Sequence, residues 1–332
     1  MQTAQPSFDF QQAFHQRRLL QEVIDGLSSE PKTLNPKFFY DEAGSRLFEE
    51  ICLQPEYYPT RIEKFILNEQ IESIAEVLSD MDILLEYGSG AAEKVRPLLE
   101  HLPKLSAYVP IEISKEILFK SSQDLAERYP RLRIIPICAD FTSHLELPLF
   151  HISRSAIRPL GTLPRKVAFF PGSTIGNFAP EVALEFLRRT LDHVGTGGGL
   201  LLGVDLKKDR ALLEAAYNDR AGVTAKFNLN ILKRINHQFE ADFAPDQFEH
   251  YAFYNEKQGR IEMHLRALKT QRVHIGEYEV SFKPGDSIHT ESSYKYSTEE
   301  FASLAAEAGF IAQAVWTDPG KLFGVFYFEV AS

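Results

Sequence analysis

The chain has 332 residues, enough for about two domains, and 44% of them are hydrophobic, which predicts globular units with substantial cores. Acidic residues outnumber basic ones by 46 to 36, and this net charge of −10 argues against a nucleic-acid partner, because phosphate backbones bind basic surfaces. The start lacks a signal-peptide core and no apolar run approaches the ~20 residues of a membrane span, so we expect a cytoplasmic protein without membrane contact.

The first eighty residues predict helices that flank an aromatic loop. Helical apolar spacing covers residues 11–30 and ends at a proline-containing break. A loop with Phe38, Phe39 and Tyr40 follows, and residues 44–52 and 60–79 are again predicted to be helical. Cys52 and Cys138 form no C-x-x-C motif, so no disulfide framework or zinc site is expected, and Cys138 is predicted to be a buried strand residue.

Three apolar segments then predict successive strands with polar carboxyl ends. Residues 83–87 run into a turn with Gly88 and Gly90, residues 107–112 end at Glu112, and residues 133–141 end with the pair Asp140 and Phe141. In a Rossmann-like parallel sheet these ends share one edge, and the acid about twenty residues after the glycines accepts the ribose hydroxyls. The pattern predicts an adenosine site.

The glycine turn distinguishes between adenosine cofactors. A dinucleotide turn carries a third glycine where this chain has Glu93, whose carboxylate repels phosphate, and there is no P-loop. The glycine turn with its ordered acids resembles instead the class I S-adenosylmethionine methyltransferases. The resemblance implies a Rossmann-like α/β fold and S-adenosylmethionine as cofactor, held by Gly88, Glu112, Asp140 and Phe141. Lys94, predicted in the first turn of the next helix, is suited to the methionyl carboxylate.

The second half of the chain is predicted to complete this fold around an insertion. The predicted elements are strands 167–170 and 200–205 with crossover helix 181–194, an insertion with helices over 208–236 and a three-stranded meander of 248–255, 260–268 and 274–282, a helix over 298–309 capped at Thr298, and a hairpin of 310–316 and 322–330.

The expected domain organisation follows from the insertion. A methyltransferase domain takes residues 61–207 and 290–332, and a smaller α+β substrate domain takes residues 1–60 and 208–289.

Six further motifs narrow the resemblance. They are residues 37–41 (KFFYD), 55–61 (PEYYPTR), 170–177 (FPGSTIGN), 221–228 (AGVTAKFN), 260–263 (RIEM) and 290–296 (TESSYKY). In this order they are similar to the ergothioneine-pathway histidine Nα-methyltransferases. The resemblance implies trimethylation of the α-amino group of histidine to hercynine. The family also contains fungal enzymes that methylate a prenylated tryptophan, so a tryptophan derivative stays open as substrate, and so does a non-catalytic S-adenosylmethionine sensor.

Candidate substrate residues fall within these motifs. Asn177 follows the fourth strand near the switch point of the sheet, and its amide can both donate and accept hydrogen bonds. The resemblance assigns the substrate carboxylate and amine to Tyr57, Asn177 and Tyr217, with Tyr40 beside them. Asn177 and Tyr40 are the catalytic candidates.

Ring recognition is predicted from the 290–296 motif. An imidazole needs an acceptor for its N–H and a hydroxyl for its other nitrogen, and Glu291 and Ser293 share one side of an extended chain. The resemblance gives both residues this role. Phe227 and Tyr40 are candidates for an aromatic wall around the quaternary ammonium, and Met263 is a candidate for the imidazole side. For Phe227 and Met263, core packing is an equal alternative. Methyl transfer needs no metal, and we expect a monomer.

Overall fold

The computed structural model describes residues 6–142, 145 and 164–331. Its contacts group the chain into two compact units. Unit 1 comprises Met1–Tyr57, Arg210–Asn255 and Ile261–Ser292, and unit 2 comprises Tyr58–Asp209, Glu256–Arg260 and Ser293–Ser332. None of the described helices is both long and apolar enough to cross a membrane. The first five residues, on which the signal-peptide prediction rests, lie outside the described part of the chain.

Ten α-helices occur in the described residues. They are α1 (Pro6–Ser28), α2 (Glu42–Cys52), α3 (Tyr58–Glu69), α4 (Ile71–Val77), α5 (Arg96–His101), α6 (Lys115–Arg128), α7 (Pro180–Val194), α8 (Arg210–Tyr217), α9 (Val223–Phe239) and α10 (Thr298–Glu307). Short 3₁₀ helices cover Pro36–Phe39, Thr174–Asn177 and Pro245–Gln247.

Fourteen strands occur in the same described residues. They are β1 (Lys32–Thr33), β2 (Ile83–Tyr87), β3 (Ala107–Glu112), β4 (Arg133–Ile134), β5 (Ile137–Cys138), β6 (Lys166–Phe170), β7 (Gly199–Asp205), β8 (Phe248–Asn255), β9 (Arg260–Ala267), β10 (Gln271–Ile275), β11 (Tyr278–Phe282), β12 (Ser287–Tyr294), β13 (Phe310–Thr317) and β14 (Phe323–Val330).

Unit 2 is built on a mostly parallel sheet. Its strand order is β13-β14-β7-β6-β2-β3-β4, with β5 also paired to β3. Strands β2 to β7 pair in parallel, whereas β14 runs antiparallel to both β7 and β13. This is the α/β, Rossmann-like class I methyltransferase sheet that the sequence predicts, including the terminal hairpin. The strand order reverses beside β2, so the carboxyl ends of β2, β3 and β6 meet at the switch point where ligands bind in such sheets.

Both faces of this sheet are buried, which explains its apolar strands. Along β2, Ile83, Leu85 and Tyr87 belong to one core and Leu84 to the other. Helices α7 and α10 contribute Phe186 and other residues to the first core. A parallel sheet covered on both faces needs continuous apolar strands and not alternating ones, and this pattern made β2, β3, β6 and β7 predictable.

The predicted third strand is interrupted. Instead of one strand over 133–141, the chain forms β4 and β5, separated by Ile135 and Pro136, because proline has no N–H to donate to a sheet. The prediction that Cys138 is buried is wrong. This residue is exposed in the two-residue strand β5.

Two further local predictions are corrected. The helix predicted over 60–79 is broken at Gln70 into α3 and α4. The cap of α10 is Ser297 and not Thr298. The Ser297 side chain accepts from the Glu300 N–H, and the Glu300 carboxylate accepts from the Ser297 N–H, which completes a capping box.

Unit 1 combines helices α1, α2, α8 and α9 with a separate sheet. That sheet has the order β1-β12-β9-β8, and β10 and β11 form a two-stranded antiparallel hairpin of their own. The prediction of a three-stranded meander is therefore wrong about its third strand. Residues 274–282 were expected to pair with β9, but β12 occupies that position. Alternating polarity identifies a strand without identifying its partner, so residues 274–282 could not be placed from their pattern.

A buried carboxylate lies within the parallel sheet. Glu86 on β2 is 1% exposed and accepts the hydroxyl of Tyr108 on β3. Burial penalises the charged form and raises the pKa of Glu86 to about 8, although the Tyr108 hydrogen bond and the charge of Lys94 oppose this shift. Glu86 is therefore mostly protonated at neutral pH.

This raised pKa predicts a pH dependence of folding. Because the pKa of Glu86 is higher in the folded state than its usual 4.5, the folded protein binds the extra proton, and stability falls as pH rises from about 4.5 to about 8. We expect Glu86→Gln to remove a slope of up to ~1.4 kcal/mol per pH unit from the free energy of unfolding. Urea unfolding at several pH values measures the slope, with exposed Glu116→Gln as control. An unchanged slope in Glu86→Gln would contradict the assignment.

Candidate active site

The glycine turn and Glu112 form one hydrogen-bonded structure in unit 2. Gly88 and Gly90 have φ of 67° and 50°, the left-handed region that favours glycine. The Glu112 carboxylate accepts from the N–H of Gly90 at 3.1 Å and of Ser114 at 3.0 Å. The predicted ribose acceptor is thereby held against the turn, with lone pairs left for a ligand.

Asp140 and Phe141 end the predicted third strand, and Phe141 lies beside this turn. A Cβ at Gly88 would stand 3.4 Å from the Phe141 ring, so the ring packs against the glycine backbone. The Asp140 carboxylate instead accepts from the Thr142 N–H at 2.9 Å and from the Thr142 hydroxyl at 2.5 Å. The structure therefore brings Gly88, Glu112 and Phe141 together, while Asp140 caps its own turn.

Lys94 has a partner that the sequence did not reveal. Its ammonium lies 2.6 Å from the carboxylate of Glu63, which is 1% exposed on α3. Both Glu63 oxygens also accept from the Gly172 N–H, at 2.8 and 2.9 Å. The predicted place of Lys94 inside a helix is wrong, because α5 begins at Arg96 and Lys94 lies in the preceding turn.

Glu93, which the sequence analysis read as repelling phosphate, is also ion-paired. Its carboxylate lies 2.5 Å from the Lys64 ammonium, and that hydrogen bond lowers the pKa of Glu93. The side chain is 61% exposed, so the pair is weakened by water and salt. Glu93 keeps a negative charge at the turn.

Asn177 ends the 3₁₀ helix Thr174–Asn177 after β6. The neighbouring Gly176 comes so close to the end of β12 that an added Cβ would stand 2.8 Å from the Tyr294 carbonyl oxygen. Both residues belong to unit 2, as does Ser293, the residue before Tyr294. Gly176 therefore permits the loop with Asn177 to lie against the end of the strand that carries Ser293.

Unit 1 gathers most of the remaining candidates into an aromatic cluster. Tyr40 and Phe48 both contact Phe227, with ring centroids 5.9 and 6.1 Å away, and Phe39 stacks on Phe227 at 4.5 Å. Tyr57 contacts Phe48 and Tyr217, each at 6.3 Å. Phe227 is 2% exposed, so it packs inside this cluster, and Tyr40 lies on the same cluster.

Tyr57 in this cluster stays protonated. Burial is the largest cause that raises the pKa of Tyr57 well above its usual value, and the neighbouring Tyr217, Cys52, Glu291 and Tyr40 raise it further. Tyr57 therefore acts as a neutral hydroxyl, which can donate or accept a hydrogen bond but has no phenolate to act as a strong base. Glu291 lies close enough to act on Tyr57.

A chain of side-chain hydrogen bonds holds Tyr217 and Met263. His250 Nε2 donates to the Tyr217 carbonyl at 2.9 Å, and the Asn228 amide donates to His250 Nδ1 at 2.9 Å. Thr290 on β12 donates to Asn228 at 2.7 Å and to the Met263 carbonyl at 3.0 Å. Burial lowers the pKa of His250, so this ring is neutral and keeps its tautomer.

A buried charged network at the end of β7 was not predicted from the sequence. Asp205 is fully buried and accepts hydrogen bonds from Tyr58 at 2.9 Å, from Lys208 and from Lys295 at 2.7 Å. Lys295 also donates to Ser293 at 2.8 Å. Asp205 ends an apolar strand as Glu112 does, and Lys295 lies inside the 290–296 motif, so both signals were present in the sequence.

Unit 1 also holds three potential metal ligands together. Glu262, His264 and His289 each offer an atom, and these atoms lie within 4.8 Å of one another. Contacts among these three side chains explain why they lie together. His264 Nε2 lies 3.1 Å from the Glu262 carboxylate, and the two imidazole rings stack at 4.8 Å. That methyl transfer needs no metal stays a prediction.

Comparison with known proteins identifies a family and its members. Residues 19–330 match the family described as "Histidine-specific methyltransferase, SAM-dependent". The chain is 40% identical to a histidine N-alpha-methyltransferase of Mycolicibacterium smegmatis, covering 92% of this chain and 93% of that protein. It is 31% identical to ergothioneine biosynthesis protein 1 of Neurospora crassa, covering 86% and 32% respectively. It is 26% identical to 4-dimethylallyltryptophan N-methyltransferase easF of Claviceps purpurea, covering 99% of both.

The geometry at Glu112 predicts a binding defect. Glu112→Ala removes a charged acceptor beside the glycine turn, and we expect binding of S-adenosylhomocysteine to weaken by about 1.5–3 kcal/mol. Titration calorimetry measures this loss. Glu116→Ala, at an exposed position of α6, is the matched control. Unchanged binding by Glu112→Ala would exclude this edge of the sheet as the ribose site.

Proposed function

Because this chain belongs to the histidine-specific, S-adenosylmethionine-dependent methyltransferase family, we propose that it methylates the α-amino group of L-histidine. Three successive transfers would give N,N,N-trimethylhistidine, or hercynine, the betaine of ergothioneine biosynthesis. The observation that carries this proposal is the 40% identity, over 92% of the chain, to a histidine N-alpha-methyltransferase. The arrangement of Gly88, Glu112 and Phe141 in unit 2 supports the cofactor side of this proposal.

The cofactor contacts are proposed for unit 2. The turn of Gly88 and Gly90, braced by Glu112 and packed on Phe141, fits an adenosine whose tail has no phosphate. When bound, S-adenosylmethionine supplies an electrophilic methyl group on a sulfonium sulfur. Lys94 is proposed for the methionyl carboxylate, and its ion pair with Glu63 would hold the ammonium in position for that contact. Asp140 is proposed as a further polar contact of the adenosine.

The protein's own residues are proposed to position the substrate. We propose Tyr57, Tyr217 and Asn177 as partners of the substrate carboxylate and amine, and Tyr40 as their neighbour. The amine must be neutral before each transfer, so it gives up a proton. The raised pKa of Tyr57 argues against a phenolate base and supports a role as hydrogen-bond partner, which leaves proton release to solvent. Aromatic faces such as Tyr40 and Phe227 favour the quaternary ammonium that forms.

The imidazole side of the site is proposed on β12. Glu291 and Ser293 lie two residues apart on this strand, as a carboxylate for one ring nitrogen and a hydroxyl for the other require. Met263, which is 2% exposed on β9, is proposed to pack beside the ring. We further propose that the enzyme acts as a monomer, in the cytoplasm, without a metal.

One other substrate has a specific observation behind it. The similarity to a 4-dimethylallyltryptophan N-methyltransferase over 99% of the chain supports a tryptophan derivative as the second candidate. An indole has no acceptor nitrogen for Ser293, so the hydrogen bond that imidazole could accept from this hydroxyl is lost. Histidine is therefore the preferred substrate. A non-catalytic S-adenosylmethionine sensor is less suited to the chain, because it would not need the substrate residues together.

The substrate assignment predicts a change in selectivity. The double variant Glu291→Ala with Ser293→Val should lower histidine methylation at least ~10²-fold, since both ring contacts are lost, and should improve the relative use of tryptophan. Mass spectrometry of each amino acid after incubation with S-adenosylmethionine measures both rates. Faster methylation of tryptophan than of histidine by the wild type would move the assignment to the indole-acting relatives. Full histidine selectivity in the double variant would place ring recognition elsewhere.

The role of Asn177 predicts a separation of two binding steps. Asn177→Ala should impair histidine binding and methyl transfer while S-adenosylhomocysteine binding stays within about threefold of the wild type, because the amide is proposed to contact the amino acid and not the cofactor. Steady-state kinetics and calorimetry measure the two effects. Asn218→Ala, which removes an amide at the end of α8, is the control. Normal turnover by Asn177→Ala would exclude Asn177 from substrate binding and methyl transfer.

A further inference from the structure

Lys295 belongs to the 290–296 motif but has no role in the function proposed so far. Its side chain is 1% exposed, and two contacts of its ammonium lie in unit 2. One is the Asp205 carboxylate at 2.7 Å, and the other is the Ser293 hydroxyl oxygen at 2.8 Å. Ser293 is a proposed partner of the substrate ring, so the neighbour that fixes its hydroxyl affects what that hydroxyl can recognise.

The direction of the hydrogen bond between Lys295 and Ser293 is set by chemistry. A lysine ammonium has three donors and no acceptor, so the Ser293 oxygen must accept. The hydroxyl proton of Ser293 is then directed away from Lys295. A serine without such a neighbour can turn its hydroxyl and either donate or accept, whereas Ser293 is biased towards donation.

Asp205 keeps Lys295 in its place and in its charged form. Burial alone would raise the pKa of Asp205, but the ammonium groups of Lys295 and Lys208 hold that pKa below its usual value. Asp205 is therefore ionised, and a buried carboxylate strongly favours a charged lysine beside it. Its backbone N–H donates to the Ser173 hydroxyl at 2.8 Å, and Tyr58 donates to both of its oxygens at 2.9 Å. Tyr58, Lys208 and Lys295 therefore all donate hydrogen bonds to this carboxylate.

We propose that Lys295 is a positioning residue that makes Ser293 a hydrogen-bond donor and so selects a ring with an unprotonated acceptor nitrogen. This inference rests on the proposed histidine methylation. With Ser293 donating and Glu291 accepting, the recognised ring carries one N–H and one bare nitrogen, which is neutral imidazole. Rings that offer only N–H groups, such as pyrrole and indole, have no nitrogen that could accept the Ser293 proton.

Two analogues isolate this single contact. Pyrrol-2-ylalanine and pyrrol-3-ylalanine each keep an N–H at one of the two imidazole nitrogen positions and have carbon at the other. In the presence of S-adenosylhomocysteine, we expect the wild type to bind histidine at least ~10-fold more tightly than the better pyrrole analogue. Ser293→Ala should reduce this ratio towards one. Calorimetry of all three amino acids provides the measurement.

The variant that tests Lys295 removes the ion pair as a whole. Lys295→Met with Asp205→Asn removes both charges of this pair, and S-adenosylhomocysteine binding reports whether unit 2 has folded, since the buried Lys208 also loses its carboxylate partner in this variant. The ratio of histidine to pyrrole affinity should fall at least threefold in this variant. Lys207→Met, which removes a half-exposed ammonium paired with Glu300, should keep the wild-type ratio. A wild-type ratio in the double variant would overturn the proposal and leave Lys295 with a purely structural role.

A second measurement decides the case if the double variant does not fold. Nitrogen-15 NMR of ring-labelled histidine bound to the wild type with S-adenosylhomocysteine shows the protonation of each ring nitrogen. One protonated and one bare nitrogen support the proposal, and two protonated nitrogens overturn it. If the wild type does not bind histidine at all, the proposed function itself fails, which distinguishes that failure from the failure of this inference.

Discussion

The buried ion pair between Asp205 and Lys295 connects the parts of unit 2 that the chemistry needs. Asp205 ends the interior strand β7, and Lys295 follows the strand that carries Ser293. Tyr58 at the start of α3 and Ser173 before the Asn177 segment bind the same aspartate. Removing the Asp205 carboxylate would leave the Lys295 ammonium buried without this ion-pair partner, which is costly in a low-dielectric interior. The geometry at this end of the sheet therefore depends on one carboxylate.

Buried or half-buried carboxylates recur at the other functional positions of unit 2. Glu112 accepts from the backbone of the glycine turn, and Glu63 accepts from the Gly172 N–H while it pairs with Lys94. Gly203 on β7 has no side chain where a Cβ would stand 2.0 Å from the Glu63 carboxylate. Each of these acids fixes a loop by accepting backbone N–H groups or a lysine, and the loops carry the proposed ligand contacts.

Local signals made much of the fold and part of the site predictable. Continuous apolar strands identified β2, β3, β6 and β7, and the glycine turn located Glu112 and Phe141 correctly beside it. Pairings between distant segments left no local signal. The Lys94–Glu63 and Asp205–Lys295 pairs join residues 31 and 90 positions apart, and the partner of β9 was β12 instead of the nearer β10–β11 hairpin. Pro136 is the one local signal in the sequence for the break between β4 and β5.

The position of the transferred methyl group tests the central claim most directly. S-adenosylmethionine labelled with carbon-13 in its methyl group, incubated with the protein and histidine, gives a product whose labelled carbons can be located by NMR correlation to the neighbouring nitrogens. The account predicts that every labelled methyl group lies on the α-nitrogen. Label on an imidazole nitrogen, or no labelled histidine product, would contradict it.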